Sequence, residues 1–160
     1  MEKLIEKYSK WFLEQKPIKI FLLCMLLGLP FYLWMFSIVY QLDIKQNNKR
    51  NKWKEFLLYF STFYPLFYVF IFILFMINIL FSNDANSIFS IILPFHFLAM
   101  LCSLILMIMC AKSYTKFEKS NHINTSGAFV NFILIAYYIV GIWIFQPKLN
   151  NYIEMIKSKN

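Results

Sequence analysis

The sequence is poor in the residues that soluble enzymes use for chemistry. Its 160 residues include three Gly, two His, three Cys and only eight Asp and Glu. Three scattered glycines cannot form a Gly-rich phosphate loop, and neither an HExxH nor a GxSxG pattern occurs. No CxxC is present, and the cysteines lie in apolar runs, which argues against thiol redox chemistry. We therefore expect no catalytic residues, no cofactor and no metal site, and an enzyme is the less favoured class.

Charge is also scarce, at 15% of the residues, whereas 60% are apolar and 21% aromatic. This composition is typical of an integral membrane protein. The net charge of +8 comes without any nucleic-acid-binding motif, so cationic loops beside membrane segments explain it and no nucleic-acid partner is expected. No Pro-, Gly- or Ser-rich linker divides the chain, which favours a single membrane domain over residues 1–160.

Four long apolar runs occupy residues 18–40, 56–81, 88–111 and 128–146. At ~1.5 Å per residue, a helix of this length crosses a ~30 Å hydrocarbon core. Within the runs, Lys19 is the single Asp, Glu, Lys or Arg residue. Backbone groups in lipid must be hydrogen-bonded within their own segment, so the runs are predicted to be helices. The expected fold is all-α, with four hydrophobic transmembrane helices.

The two ends of the chain, residues 1–17 and 147–160, are predicted to form amphipathic interfacial helices. Their apolar side chains recur at helical spacing: Leu4, Ile5, Tyr8, Trp11 and Phe12 in the first, and Leu149, Tyr152, Ile153 and Ile156 in the second. Pro147 is expected to end the fourth membrane helix. Anchoring on the membrane surface is favoured over docking to a partner.

The distribution of cationic residues leaves the topology open. Lys and Arg number five up to residue 19, five in 41–55, none in 82–87, three in 112–127 and three after 146. If all four runs cross, each face carries eight and the positive-inside bias disappears. Insertion in both orientations would explain this balance, as would terminal charges that serve lipid headgroups. A re-entrant first run, broken at Gly28-Leu29-Pro30, would instead place 13 on one face and 3 on the other. A kinked span is favoured over the re-entrant hairpin.

Kinks are predicted at Gly28, Pro30, Pro65, Pro94 and Pro147, where a helix lacks either a Cβ or a backbone donor.

Polar side chains inside the apolar runs form a predicted seam between helices. His96 is the one imidazole inside a run, and ionisable groups in a membrane are functional candidates. The seam comprises Ser61, Tyr64, Tyr68 and Asn78 on the second run, His96 and Ser103 on the third, and Asn131 and Tyr138 on the fourth. Interhelical hydrogen bonding is the favoured role. A substrate path or a proton-sensing histidine is the alternative.

Two segments, PFHFLAMLC (94–102) and GIWIFQPKLN (141–150), resemble a family of small bacterial four-segment membrane proteins. That family ends in a Gly-Ile-Trp-x-x-Gln-Pro-Lys-x-Asn signature, and the Gly-Leu-Pro at 28–30 fits it too. The resemblance implies four segments but no activity. Where relatives carry an acid near the start of the last helix, this chain has Asn131, which puts ion handling in doubt. Within the signature, Gln146 is predicted to cap carbonyls freed by Pro147.

The favoured function is a non-enzymatic accessory, regulatory or immunity-type protein of the cytoplasmic membrane, with several spans. Its expected partners are the lipid bilayer and either a membrane protein or further copies of itself. A small transporter or channel, in the form of a dual-topology oligomer, is the first alternative. A membrane-embedded enzyme is the second.

Overall fold

A computed structural model of the chain describes residues 2–44, 51–81, 85–121 and 126–158. Within these ranges the protein is helical and contains no strand. The helices are α1 (Glu2–Glu14), α2 (Pro17–Leu27), α3 (Leu29–Val39), α4 (Lys52–Phe81), α5 (Ala85–Ser120), α6 (Ala128–Ala136) and α7 (Tyr138–Ser158). A single π turn, Tyr40–Ile44, extends α3. The prediction of an all-helical protein is confirmed.

The two longest helices, α4 and α5, pack against each other along their length. Lys54 and Lys116 meet at one end of the pair through Asp43, and Tyr68 contacts His96 nearer the other end, so the two helices are antiparallel. The stretches Lys52–Ile77 and Ser90–Ser120 are long and apolar enough to cross a membrane. Pro65 and Pro94 lie inside these helices, which continue through them.

The first apolar run is two helices, which differs from the predicted single span over 18–40. Gly28 separates α2 from α3 with φ +64°, a conformation that residues with a Cβ seldom adopt. Pro30 then occupies the first turn of α3, where its missing N–H leaves no hydrogen bond broken. The Gly-Leu-Pro sequence therefore ends one helix and begins another.

Contacts with α7 give the directions of α2 and α3. Going along α7, Tyr138 touches Met25, Trp143 faces Phe21 and Gln146 reaches Gln15, so α2 runs antiparallel to it. In the same direction Tyr138 faces Phe31 and Phe145 faces Trp34, so α3 runs parallel to α7. The chain therefore reverses at Gly28, and α2–α3 is a helical hairpin.

The fourth apolar run also turns back on itself. Tyr137, with φ −90° and ψ 59°, interrupts the helix between α6 and α7. Asn131 and Lys148 both contact Glu118, although 17 residues of straight helix would hold them ~25 Å apart. The prediction of one helix over 128–146 is therefore wrong.

Pro147 does not end the helix that contains it. It lies inside α7, which continues to Ser158, so the predicted separate helix over 147–160 is absent. Leu149 and Ile153 are buried, and Tyr152 packs on Phe117 with ring centroids 4.8 Å apart. The stripe predicted to lie on the membrane surface packs into the protein's own core, while the side chain of Ile156 falls outside the described part.

Helix α1 uses only one side of its apolar face for packing. Ser9 and Leu13 are buried, and Ile5 and Phe12 pack on the same core. The remaining apolar residues predicted for the interface, Leu4, Tyr8 and Trp11, stay exposed.

The main core lies at one end of the α4–α5 pair. It draws buried side chains from α1, α2, α3, α6 and α7, together with Leu58 of α4 and the stretch of α5 from Leu106 to Phe117. A second, smaller cluster consists of Tyr68, Ile92 and Ala99 and comes from α4 and α5 alone. We call residues 68–81 and 85–99 the stem, and the remaining described residues the base.

Candidate functional site

Part of the predicted seam forms between α4 and α5. The hydroxyl of Tyr68 lies 3.0 Å from Nδ1 of His96, and their rings are 5.6 Å apart. Tyr64 donates a hydrogen bond of 3.4 Å to the carbonyl of Phe95. The structure thus brings His96, Tyr64 and Tyr68 into one neighbourhood.

Ser103 is joined by a residue that the sequence did not single out. Its hydroxyl donates to the carbonyl of Ala99 at 2.8 Å and lies 3.0 Å from the hydroxyl of Tyr32 on α3. Because a serine hydroxyl carries one proton, Tyr32 is the donor to Ser103. This bond fixes the tip of the α2–α3 hairpin against α5.

A groove of about 340 Å³ lies where α3, α4 and α5 meet, with Tyr32, Tyr68, His96 and Ser103 among its lining residues. This volume is at the small end of the range for ligand pockets. The polar groups on its wall are hydrogen-bonded to one another or to backbone, which supports the favoured role as interhelical contacts.

The other predicted seam residues lie apart from this groove. Ser61 donates to the carbonyl of Leu58 in its own helix. Tyr138 lies with its hydroxyl 3.8 Å from Sδ of Met25, and Asn131 faces Glu118 in the base. The side chain of Asn78 falls outside the described part. The predicted polar residues therefore lie in several separate places and do not form a single seam.

The base contains a buried acid, Glu118, which sequence reasoning missed. Asn131 donates through Nδ2 to Thr115 Oγ1 and to Glu118 Oε2, both at 2.9 Å. Lys148 reaches Glu118 Oε1 at 3.3 Å. The amide oxygen of Asn131 has no hydrogen-bond partner among the described residues. Rotating the amide would aim that oxygen at a carboxylate, so the present orientation is the favourable one.

Asp43, in the π turn after α3, is the second buried acid of the base. Lys54 forms an ion pair with it, Lys116 lies 3.5 Å from its Oδ1, and Ser113 donates to its Oδ2 at 3.3 Å. Burial alone would raise the pKa of Asp43, but the hydrogen bond and charge of Lys54, with help from Lys116 and Ser113, lower it below the ordinary value. The carboxylate therefore ties α3 to α4 and α5.

Gln146 is fully buried where α1, α3 and α7 meet. Its Oε1 accepts a hydrogen bond of 2.9 Å from the indole of Trp34. Its Nε2 lies within 3.1 Å of the carbonyls of Phe12, Leu13 and Gln15. Phe12 and Leu13 lie in the last turn of α1, where the carbonyls lack a partner in their own helix, and Gln15 follows that turn. The carbonyl of Phe12 also accepts from the N–H of Gln15 at 3.4 Å, and that of Gln15 from Nδ2 of Asn150 at 3.2 Å. Gln146 thus caps the C-terminus of α1, and not the carbonyls freed by Pro147.

One sequence signal could have found Glu118. Ala111, Tyr114, Thr115 and Glu118 recur at helical spacing, so they continue the apolar face of the third run beyond residue 111. Hydropathy places that stretch in a loop, whereas the structure extends α5 to Ser120. Asp43 has a weaker signal, since it follows an apolar run closely. Nothing in the sequence pairs Gln146 with Trp34.

The polar groups of the base serve to join helices. In the part of the chain that the structure describes, no three His, Cys, Asp or Glu residues come together as a metal site. No protein-family model, no curated protein and no solved structure matches this chain. The resemblance drawn from PFHFLAMLC and GIWIFQPKLN therefore stays a prediction.

Proposed function

We propose that the protein is an integral protein of the cytoplasmic membrane in which only α4 and α5 cross the bilayer. The α2–α3 and α6–α7 pairs enter one leaflet and return to the face from which they came. The reversals at Gly28 and Tyr137 carry this proposal, because they leave both ends of each pair at the base.

Helix lengths support this arrangement. With 11 residues in α2 and 9 in α6, the two helices rise ~16 Å and ~13 Å, about half of a ~30 Å hydrocarbon core. The 26 residues of Lys52–Ile77 rise ~39 Å, enough to cross with some tilt. Only 22% of the apolar 18-residue window within that stretch is buried, so most of its apolar surface needs cover from lipid or from other helices.

The charge distribution supports it as well. With two reversals, all 16 Lys and Arg residues belong to the base side, and the stretch 82–87, which follows α4 and includes the start of α5, has none. By the positive-inside rule the base faces the cytoplasm. The 8:8 balance that suggested dual insertion arises only if all four runs cross.

Within the membrane, we propose a non-enzymatic accessory or regulatory role that works through helix contacts. Among the described residues, the buried polar side-chain atoms of the base have hydrogen-bond partners, apart from the hydroxyl of Tyr114 and the amide oxygen of Asn131. The large side chains beside and along the stem point outward instead. Phe67, Phe70, Leu93 and Phe97 are each more than 60% exposed. This surface is available to the transmembrane helix of a partner or to a second copy.

Single-cysteine labelling tests the topology. Cys24, Cys102 and Cys110 are buried, so they are replaced first, and one cysteine is introduced at Tyr8, Asn51, Ser82 or Asn121. An impermeant thiol reagent added outside intact cells should label only Ser82→Cys. Four spans would instead label Asn51→Cys with Asn121→Cys or, in the opposite orientation, Tyr8→Cys with Ser82→Cys, and dual insertion would label all four in part. Either pattern would overturn the proposed arrangement.

Photo-crosslinking in native membranes tests the role. A photoreactive residue replaces Phe67 or Phe97 near the stem, with Phe129 as the control because it is 75% exposed on the base. We expect protein adducts from Phe67 and Phe97 and lipid adducts from Phe129. Lipid adducts alone at all three positions would contradict the proposed accessory role.

The channel alternative has one supporting feature, the groove beside His96. Reconstituted vesicles loaded with a fluorescent ion reporter give a direct test. Equal flux through the unaltered chain and the His96→Ala variant is the result we expect, and a flux that depends on His96 would favour the channel.

A further inference from the structure

We infer that the protein favours bilayers that are convex on the side of its base, because it occupies more area in that leaflet than in the other. This inference rests on the proposed membrane arrangement. The partner is the lipid bilayer, and the property recognised is its curvature.

The tips of the two helical hairpins lie at a common level. Phe31, near the tip of α2–α3, and Tyr138, at the tip of α6–α7, have ring centroids 5.1 Å apart. Tyr32 places this level beside Ser103 of α5. Eight residues, or ~12 Å of helix, separate Ser103 from Ala111, where the apolar run of α5 ends. Both tips therefore stop near the middle of the bilayer.

Beyond that level the chain is narrower. The stem cluster draws on α4 and α5 alone, whereas the base core also contains side chains of α2, α3, α6 and α7. One leaflet thus holds six helices and the other holds two. A helix ~10 Å across covers ~80 Å², so the four additional helices displace ~300 Å² more lipid from the base leaflet.

The additional helices face acyl chains directly. Leu22 and Met25 of α2, Phe129 of α6, and Val140 of α7 are each more than half exposed. These side chains point away from the protein core at the depth of the hydrocarbon. The area that the helices occupy is therefore taken from lipid.

Helix α1 adds to the asymmetry at the headgroup level. Its exposed Leu4, Tyr8 and Trp11 lie on a helix whose other faces carry lysine and glutamate, which is the pattern of a helix that inserts shallowly into one leaflet. Because α1 packs on α3 and α7, it belongs to the base leaflet. A protein that is wider in the base leaflet than in the other fits a bilayer that is convex on the base side, because the headgroups of a convex leaflet are spread apart.

Orientation in vesicles of different diameter tests the inference. The full chain with a C-terminal tag is reconstituted from detergent into vesicles of one neutral lipid, and the vesicles are separated into small and large fractions. Added protease then reports the share of chains whose base faces outward, where the leaflet is convex. We expect base-outward chains to exceed base-inward chains several-fold in small vesicles and to approach equality in large ones.

An equal share at both diameters, or an excess of base-inward chains in small vesicles, would overturn the inference. Labelling of Tyr8→Cys, Asn51→Cys and Ser82→Cys in the same vesicles, read in the chains whose tag the protease removes, separates this failure from that of the membrane arrangement. If Tyr8→Cys and Asn51→Cys are both labelled in those chains, Ser82→Cys is not, and the orientation ignores diameter, only the curvature inference fails. If Tyr8→Cys is labelled and Asn51→Cys is protected, the two-span arrangement fails.

A triple variant, L4S/Y8S/W11S, separates α1 from the helical hairpins. The three side chains are exposed, so the core stays intact. The excess of base-outward chains in small vesicles should decrease but remain, since the base leaflet still holds six helices and the other leaflet two. Complete loss of this excess would assign the curvature preference to α1 and contradict the role given to the hairpins.

Discussion

The indole of Trp34 donates a hydrogen bond of 2.9 Å to the side-chain oxygen of Gln146. Both residues are fully buried, and they belong to the two different helical hairpins. The bond therefore connects two parts of the base that share no connecting loop. A buried donor that loses its acceptor is costly, which makes this contact a sensitive point in the fold.

Replacing Gln146 with Ala should lower the free energy of unfolding by about 2–4 kcal/mol, because the buried indole N–H of Trp34 loses its acceptor and the carbonyl of Leu13 loses its donor. The carbonyls of Phe12 and Gln15 each keep one other donor. Titration with a denaturing detergent in mixed micelles, followed by tryptophan fluorescence, measures this. Gln15→Ala is the matched control, since its side chain bonds only at exposed positions. An equal effect from both variants would contradict the capping role of Gln146.

Gly141 should tolerate alanine far less well than Gly28. A Cβ at Gly141 would collide with the backbone carbonyl of Leu134, and α6 would have to move away from α7. At Gly28 a Cβ meets nothing within 4 Å, so the cost is the positive φ alone, about 1–2 kcal/mol. We expect Gly141→Ala to cost about 3 kcal/mol or more.

Thermal unfolding of the two purified variants in the same detergent gives the comparison. If Gly141→Ala is as stable as Gly28→Ala, then α6 and α7 do not approach as closely as the structure has them.

Asp43 should make the protein less stable in acid. Its pKa in the folded state lies below the ordinary value of 3.8, so the unfolded chain binds a proton first as the pH falls. The stabilisation by Asp43 is therefore complete above pH 3.8 and is lost as the pH falls through the lower, folded-state value. Melting temperatures between neutral and acidic pH should fall less steeply for Asp43→Asn. Parallel curves would show that Asp43 does not contribute.

An acid at position 131 should destabilise this protein at neutral pH. Asn131→Asp would place a second carboxylate at the 2.9 Å contact with Glu118, and two like charges in a buried site repel strongly. We expect a loss of about 3 kcal/mol at pH 7, which decreases as the pH falls and one of the two carboxyls takes up a proton.

The control for this prediction is Asn51→Asp, which adds the same charge at an exposed residue whose side chain accepts hydrogen bonds from the first turn of α4. That substitution should be neutral or slightly stabilising, because acids suit a helix N-terminus. A penalty that is equal at both sites, or independent of pH, would contradict the assigned contact.

Hydropathy alone predicted the helical nature of the chain and the approximate extent of α4 and α5. It could not predict that two other apolar runs turn back, because a run of apolar residues has the same composition whether it crosses a bilayer or returns. Gly28 gave a signal, since Gly-Leu-Pro breaks a helix. Tyr137 gave none, because the residues around it are ordinary helix formers.

Only the part of the candidate site whose residues share a face of one helix could be predicted, because spacing along the sequence shows which residues share a face. His96 and Tyr68 were placed on facing stripes by their spacing, and the structure brings them together. Glu118 was missed because lysines surround it in the sequence and hide the continuation of the apolar face. Gln146 and Trp34 are 112 positions apart, and their pairing depends on how two hairpins dock, which local spacing does not encode.

The cap that Gln146 places on α1 also has a consequence for the order of folding. The carbonyls at and just after the end of α1 accept hydrogen bonds from a side chain that is 131–134 positions later in the chain. A ribosome must therefore have added Gln146 before α1 can complete its hydrogen bonds. Contacts of such long sequence separation form late, so a chain that stops before α7 should keep its first helix undocked and exposed to proteases.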